Sequence, residues 1–312
     1  MTTIGWTDKT WNPTRGCSRV SAGCESCYAE RMAHRNMGGH YDGLTRMTSR
    51  GPTWTGEIRL VPEMLDKPLR WRKPQRVFVD SMSDLFHEGV PDEYIDSVFQ
   101  TMAMARRHTF QILTKRPERM RAYLESADER HILAIYGALQ EHGGVARKLV
   151  FSNLDRLRGE SVSTWPLPNV HLGVSVENQE TADERIPLLL QAHAAVRFLS
   201  VEPLLGQVDL SQYIKGPEVG SCARKWSAET REAVAELAKA AWKVWGVQWV
   251  IVGSESGPRR RPMRIEWARS IVEQCAEAGV ACFVKQISNA ADPKGEDPTH
   301  WPPGHWPRDF PR

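Results

Sequence analysis

The sequence has no apolar run near the roughly 20 residues that a membrane-spanning helix needs. Its first residues, Met1-Thr-Thr-Ile-Gly-Trp-Thr-Asp8, lack a basic stretch followed by an apolar one, so no secretory leader is expected. Acidic and basic side chains nearly cancel, and a formal charge of +3 is too small to argue for any partner by itself. Six cysteines in 312 residues are too few for a disulfide framework in a chain of this length. There is no internal repeat and no linker composition. These absences point to a cytoplasmic, reducing compartment, no membrane contact and a single domain.

With 41% hydrophobic and 25% charged residues, there is ample material for a core. Short β-rich runs alternate with helical patterns. Val77–Asp80, Phe110–Leu113, His171–Val176, Val196–Val201, Trp249–Val252 and Ala281–Val284 read as buried strands. Near-continuous apolar runs of this kind suit a parallel sheet covered by helices. A seventh strand is expected around Thr10 to Thr14, weakened by Pro13. Helices are expected over about Pro91–Arg107, Glu118–Glu125, Asp128–Glu141, Thr181–His193, Ser227–Trp245 and Ile265–Ala278. Repeated β-α units mean either a parallel (β/α) barrel or an open α/β sheet. Gly38–Gly56, polar and glycine-rich, reads as a mobile excursion. Several of the twelve tryptophans sit among Pro and Gly, where they can fill a core or form surface platforms.

Three cysteines, Cys17, Cys24 and Cys27, fall within eleven residues, and the next in sequence is Cys222. Their Gly, Ser, Arg and Glu neighbours do not make an apolar face. Three thiolates on one loop can hold three irons of a [4Fe–4S] cluster; a fourth ligand would close it, as in electron carriers. Structural zinc also uses Cys-x2-Cys pairs and is the rival, with only His34 and His40 nearby to complete it. Cys275 and Cys282 fall on a helix and a strand and read as core, and Cys222 lies in an insertion.

In parallel α/β folds, sites collect at the carboxyl ends of strands. Here those ends are polar: Asp80-Ser81-Met82-Ser83-Asp84, Thr114-Lys115-Arg116, Glu177-Asn178, Glu202-Pro203, Gly253-Ser254-Glu255 and Lys285-Gln286. Each alone suits a solvated loop or a helix cap; six together describe a polar pocket. An open iron can chelate the amino and carboxylate groups of S-adenosylmethionine (SAM), and SAM with iron–sulfur centres carries radical chemistry. Lys115 and Glu255 are the candidate catalytic side chains, and Gly253 offers close backbone approach to an adenine ring.

The sequence resembles the radical SAM superfamily, whose usual signature is Cys-x3-Cys-x2-Cys with an aromatic residue beside the last cysteine. Here the spacing is Cys-x6-Cys-x2-Cys, and Tyr28 follows Cys27. More closely, it is similar to a phage-associated family of uncharacterised proteins marked by three cysteines. That likeness rests on Trp6 to Pro13, Cys27-Tyr-Ala-Glu30, Ser81 to Phe86, Leu113 to Pro117, Gly173 to Asn178, Ser200 to Pro203, Val252 to Gly257 and Val284-Lys-Gln286. The resemblance implies an α/β fold, a partial (β/α) barrel of about six to seven parallel strands. It would carry an N-terminal cluster loop, a helical insertion at about 206–247 and a C-terminal extension at about 288–312. It implies one [4Fe–4S] cluster on Cys17, Cys24 and Cys27, SAM, and a one-electron reductant such as flavodoxin or ferredoxin. Tyr28 would lie beside the cofactor. Ser81, Ser83 and Asp84 stand where the superfamily meets the SAM amino group. Ser175, Glu177 and Asn178 match the position that meets ribose or carboxylate, and Glu202 is a candidate for the same pocket.

The leading expectation is a radical SAM enzyme acting on a nucleotide or nucleic acid. Lys115 with Arg116, and Arg259-Arg260-Arg261, are the basic groups that suggest phosphate. The alternatives are a radical SAM enzyme for a small metabolite or peptide, and a non-enzymatic nucleic-acid-binding protein with structural zinc.

Overall fold

The computed structural model describes residues 4–35, 39–126, 166–215, 246–256, 260–288, 295 and 297–311. The expected helices Asp128–Glu141 and Ser227–Trp245, together with Cys222 and Arg259, lie outside the described residues.

Seven strands form one parallel sheet in the order β1 (Lys9–Trp11), β6 (Arg76–Val79), β7 (Thr109–Thr114), β8 (Val170–Ser175), β9 (Val196–Val201), β10 (Trp249–Gly253) and β11 (Ala281–Gln286). With its helices this is the partial (β/α) barrel expected from the sequence. The chain divides into two compact units. The first comprises Met1–Val20, Cys27–His171 and Ala192–Ala195; the second comprises Ser21–Ser26, Leu172–Gln191 and Val196–Arg312.

In the first unit, β6 pairs in parallel with β1 (Lys9↔Val77, Trp11↔Val79) and with β7 (Arg76↔Thr109, Val79↔Ile112). Its residues Val77, Phe78 and Val79 are all buried, as a strand covered on both faces requires. The expected strand at Thr10–Thr14 is broken at Asn12-Pro13 into β1 and β2 (Thr14–Arg15), which pairs antiparallel with β5 (Arg59–Leu60). Pro13 has no N–H to donate to a ladder, but its carbonyl accepts from Val61 N and Tyr94 Oη. Helix α1 (Tyr28–His34) follows Cys27 directly. The Gly38–Gly56 stretch, expected as a loop, contains a hairpin of β3 (Thr45–Thr48) and β4 (Gly51–Trp54). Helix α2 (Asp92–Met104) buries Ile95, Val98, Phe99 and Met102 at helical spacing and stops three residues short of the expected Arg107. Residues 117–126 are helical (α3).

In the second unit, β10 lies between β9 (Trp249↔Phe198) and β11 (Trp249↔Ala281), with a register shift at Val252/Gly253. A Cβ at Gly173 on β8 would sit 2.6 Å from the Phe198 ring, so only glycine fits there. Helix α4 (Gln179–Gln191) begins two residues before the expected Thr181 because Asn178 caps it: Oδ1 accepts from Thr181 N at 3.0 Å. A short helix, α5 (Ser211–Ile214), opens the described part of the insertion. Helix α6 (Ile265–Ala278) matches its expected limits and ends at Gly279, whose φ of +67° forms a left-handed cap.

The C-terminal extension runs along the sheet-edge strand β11. Val284 N donates to Pro307 O, Asp309 N donates to Cys282 O, and Phe283 and Arg308 form an antiparallel bridge. Phe310 packs on Trp249 and Phe283. An otherwise open edge is thereby covered. Trp6, Trp11, Trp54, Trp249 and Trp301 are buried, so these tryptophans are core rather than surface platforms.

Candidate functional site

In the first unit, the turn after β6 gathers the polar residues. Asp84 is buried, and its carboxylate accepts from Phe86 N, Thr114 Oγ1 (2.8 Å), Lys115 N and Arg116 Nη1 (3.1 Å). That carboxylate ties the end of β7 to the turn. Ser81 donates to Asn12 Oδ1, and Ser83 bonds Thr14 at both its hydroxyl and its carbonyl. Tyr28 Oη donates to the carbonyl of Ser81, which fixes the start of α1 against the same turn.

Arg116 is 5% exposed and is not available to a phosphate. Its guanidinium bonds Asp84, Glu88, Ser18 Oγ (2.7 Å) and Ser18 O, and Nη1 lies 3.8 Å from Cys17 Sγ. His87 Nε2 meets the same Ser18 hydroxyl at 2.9 Å, and burial holds its imidazole below the usual range. Cys17 is thus held through its neighbour Ser18. Lys115 is half-buried, with its backbone N–H on Asp84.

Asp80, the first residue after β6, stands among the polar strand ends in the sequence but receives no role there. It is 3% exposed and sits at φ +56°, a left-handed conformation uncommon for a side chain other than glycine. Thr14 N donates to Oδ1 at 3.0 Å, while Oδ2 is buried without a hydrogen-bond partner. Burial pushes its carboxyl up to about 7, partly offset by the bonds from Thr14 and Ser83. The available signal was an aspartate placed directly after an apolar strand.

In the second unit, Glu177 and Glu255 hold the turn that carries Cys24. Glu177 is 1% exposed and pairs with buried Arg185, whose Nη1 also donates to Ser175 O. Ser21 Oγ donates to Glu177 Oε1 at 2.9 Å, and a Cβ at Gly23 would lie 2.3 Å from that oxygen. Glycine is therefore required where the turn meets the carboxylate. Glu255, also buried, takes Arg261 N at 2.7 Å and both ends of the Arg261 guanidinium. The same guanidinium donates to Ala22 O at 2.9 Å and reaches Glu25. Arg261, read from the sequence as part of a basic run, is thus internally paired. Asn178 is a helix cap, Glu202 is paired with Lys285 Nζ, and Gln286 lies beside Gly253, where a Cβ would meet it at 3.4 Å.

Cys17, Cys24 and Cys27 form no disulfide and are half-buried, while Cys275 and Cys282 are buried and hydrogen-bonded to each other, as core thiols. Cys17 and Cys27 pack against one apolar cluster with Ala29, Tyr41, Leu44, Trp54 and Met82. Thiols outside any disulfide, with a guanidinium beside one sulfur, are residue types whose chemistry fits thiolate ligation. Among the described residues, no three His, Cys, Asp or Glu side chains are gathered for a metal ion, and no helix is long and apolar enough to cross a membrane.

The chain matches no curated protein and no solved structure. Residues 1–297 match the family model described as "Protein of unknown function (DUF5131)", nearly the full length of the cysteine loop and sheet together, and the chain belongs to that family.

Proposed function

We propose that this chain is a radical SAM enzyme whose Cys17, Cys24 and Cys27 hold a [4Fe–4S] cluster, and whose substrate is a nucleotide or a nucleic acid. The observation that carries this reading is the trio of half-buried thiols, none in a disulfide, within eleven residues of a parallel α/β fold whose strands end in polar residues. When bound, the cluster and SAM supply one-electron cleavage of a C–S bond and a 5′-deoxyadenosyl radical.

The chain's own part is to place and shield. Arg116 sets its positive charge beside Cys17, which favours the anionic sulfur that a metal ligand requires. Glu177 and Arg261 fix the Ala22–Cys24 turn through Ser21 and Ala22. The apolar cluster behind Cys17 and Cys27 supports the two residues from the core side. Ser81, Ser83, Ser175, Glu202 and Lys115 are the strand-end groups for the amino, carboxylate and ribose groups of SAM. Glu255 and Asp84 act through the arginines they hold. A flavodoxin or ferredoxin supplies the electron, in the cytoplasm.

The test is anaerobic reconstitution with iron and sulfide, reduction in the presence of SAM, and chromatography for 5′-deoxyadenosine. Product that depends on all three cysteines supports the proposal. Tightly held zinc with intact SAM overturns it in favour of a zinc-stabilised binding protein.

A further inference from the structure

The chain's formal excess of three positive charges resides in one stretch of the first unit. Residues 31–59 hold five arginines and no lysine against Asp42 and Glu57, so the rest of the chain sums to zero. Four of these arginines flank or belong to one small substructure, the β3–β4 hairpin packed on α1. Its base is firmly fixed. Buried Glu30 on α1 accepts from Trp54 N at 3.1 Å and Thr53 Oγ1 at 3.2 Å, and pairs with Arg19. Ala29, Ala33 and Trp54 pack together beneath.

The outer end is different. Residues 46–50 are all exposed, Met47 is 62% exposed, and it stands opposite Pro52 across the hairpin. Arg46 beside it and Arg35 at the end of α1 are exposed, with no side-chain hydrogen bond or ion pair among the described residues. Arg35 and Arg46 add like charge to a stretch with few carboxylates, and like charge so concentrated is relieved by a polyanion. Arginine forks match phosphate oxygens better than lysine does, and a two-stranded ribbon is narrow enough to enter a nucleic-acid groove. An exposed Met beside a half-buried Pro, between such arginines, is the type of apolar pair that wedges against bases. An anionic membrane would instead call for a wide face of Trp, Phe or Leu, whereas α1 spends Ala29 and Ala33 on the core.

We infer that the β3–β4 hairpin and the adjoining end of α1 form a docking surface for the phosphodiester backbone of a nucleic acid. Arg35 and Arg46 would meet phosphates, and Met47 with Pro52 would face the bases. The inference deepens the substrate half of the proposed function and rests on it only for the chemistry after binding. Because α1 starts one residue after Cys27, a strand held here is presented next to the cysteine loop.

The experiment measures fluorescence anisotropy of the full chain with labelled single-stranded DNA, single-stranded RNA and duplex DNA over a salt series. It runs in parallel with flotation on phosphatidylcholine vesicles containing phosphatidylserine. With two phosphate contacts, affinity for a single strand is expected to fall roughly sevenfold between about 50 and 200 mM salt. Arg35→Gln/Arg46→Gln should weaken binding by about tenfold or more and lower the single-strand salt slope by about 1.4. The control Arg70→Gln/Arg121→Gln removes the same charge elsewhere and should leave binding unchanged, with unaltered melting in both. Equal loss in both variants, vesicle binding without nucleic-acid binding, or no binding would overturn the inference. Loss of 5′-deoxyadenosine formation alone would bear on the radical SAM reading and not on this surface.

Discussion

Arg261 grips Glu255 through its backbone N–H and both ends of its guanidinium, and with the remaining reach it bonds the carbonyl of Ala22, two residues before Cys24. Groups that orient a metal ligand typically change metal affinity by about 10–100-fold when removed. Arg261→Gln is therefore expected to lower iron affinity roughly tenfold, with Arg261→Lys intermediate. Iron per chain after reconstitution checks this, and the alkylation rate of Cys24 in the iron-free protein should rise in parallel. An unchanged alkylation rate would mean that Arg261 does not position the turn.

Cys24→Ala should abolish cluster loading while leaving the fold intact, since Cys24 is only half-buried and lies on a three-residue turn. The expected stability change is within about 1 kcal/mol. Full iron retention in this variant would remove Cys24 from the ligand set.

Asp80 sets a pH dependence of stability. Its carboxyl is raised from 3.8 to about 7 in the folded protein, chiefly by burial and also by the nearby charge of Asp84. The folded state then holds a proton that the unfolded chain releases, so the contribution to stability is fully present below 3.8 and declines as pH rises through about 7. Asp80→Asn removes the charge. Its advantage over the natural protein should grow by about 2–3 kcal/mol between about pH 5 and pH 8. Thermal melts at the two pH values measure it; an equal difference at both would show that the carboxyl is ionised throughout. Tyr41 and Tyr94, both raised first by burial, feel the same charge.

Gly173→Ala should destabilise the second unit by about 1–3 kcal/mol, because the new Cβ would meet the Phe198 ring at 2.6 Å. Phe198→Leu in the same chain should recover part of that loss. Denaturant melts of the two single variants and the double variant form the cycle; strict additivity would show that the two residues do not contact each other.

Strand positions were legible because both faces of the parallel strands are buried, so each appears as an apolar run: Val196–Val201 was read at its observed limits. The end of α6 was legible because Gly279 can adopt the left-handed cap without strain. The hairpin inside Gly38–Gly56 was not, since two four-residue strands with exposed arginines and threonines have no apolar alternation; Trp54 and Glu30 hold them through contacts more than twenty residues apart. The start of α4 was missed because a cap is a local hydrogen bond, while Asn178 reads equally well as a loop residue.

The cysteine trio, the parallel α/β architecture and the polar strand ends are determined by the sequence alone, because they depend on residue type and on spacing along the chain. The partners of the charged groups are not. Arg116 and Arg261 read as basic groups open to a phosphate until the fold buries Arg116 against Asp84 and pairs the half-buried Arg261 with buried Glu255, whereas Arg35 and Arg46 remain exposed. A buried charge must find an opposite charge, and only tertiary packing decides which charges are buried.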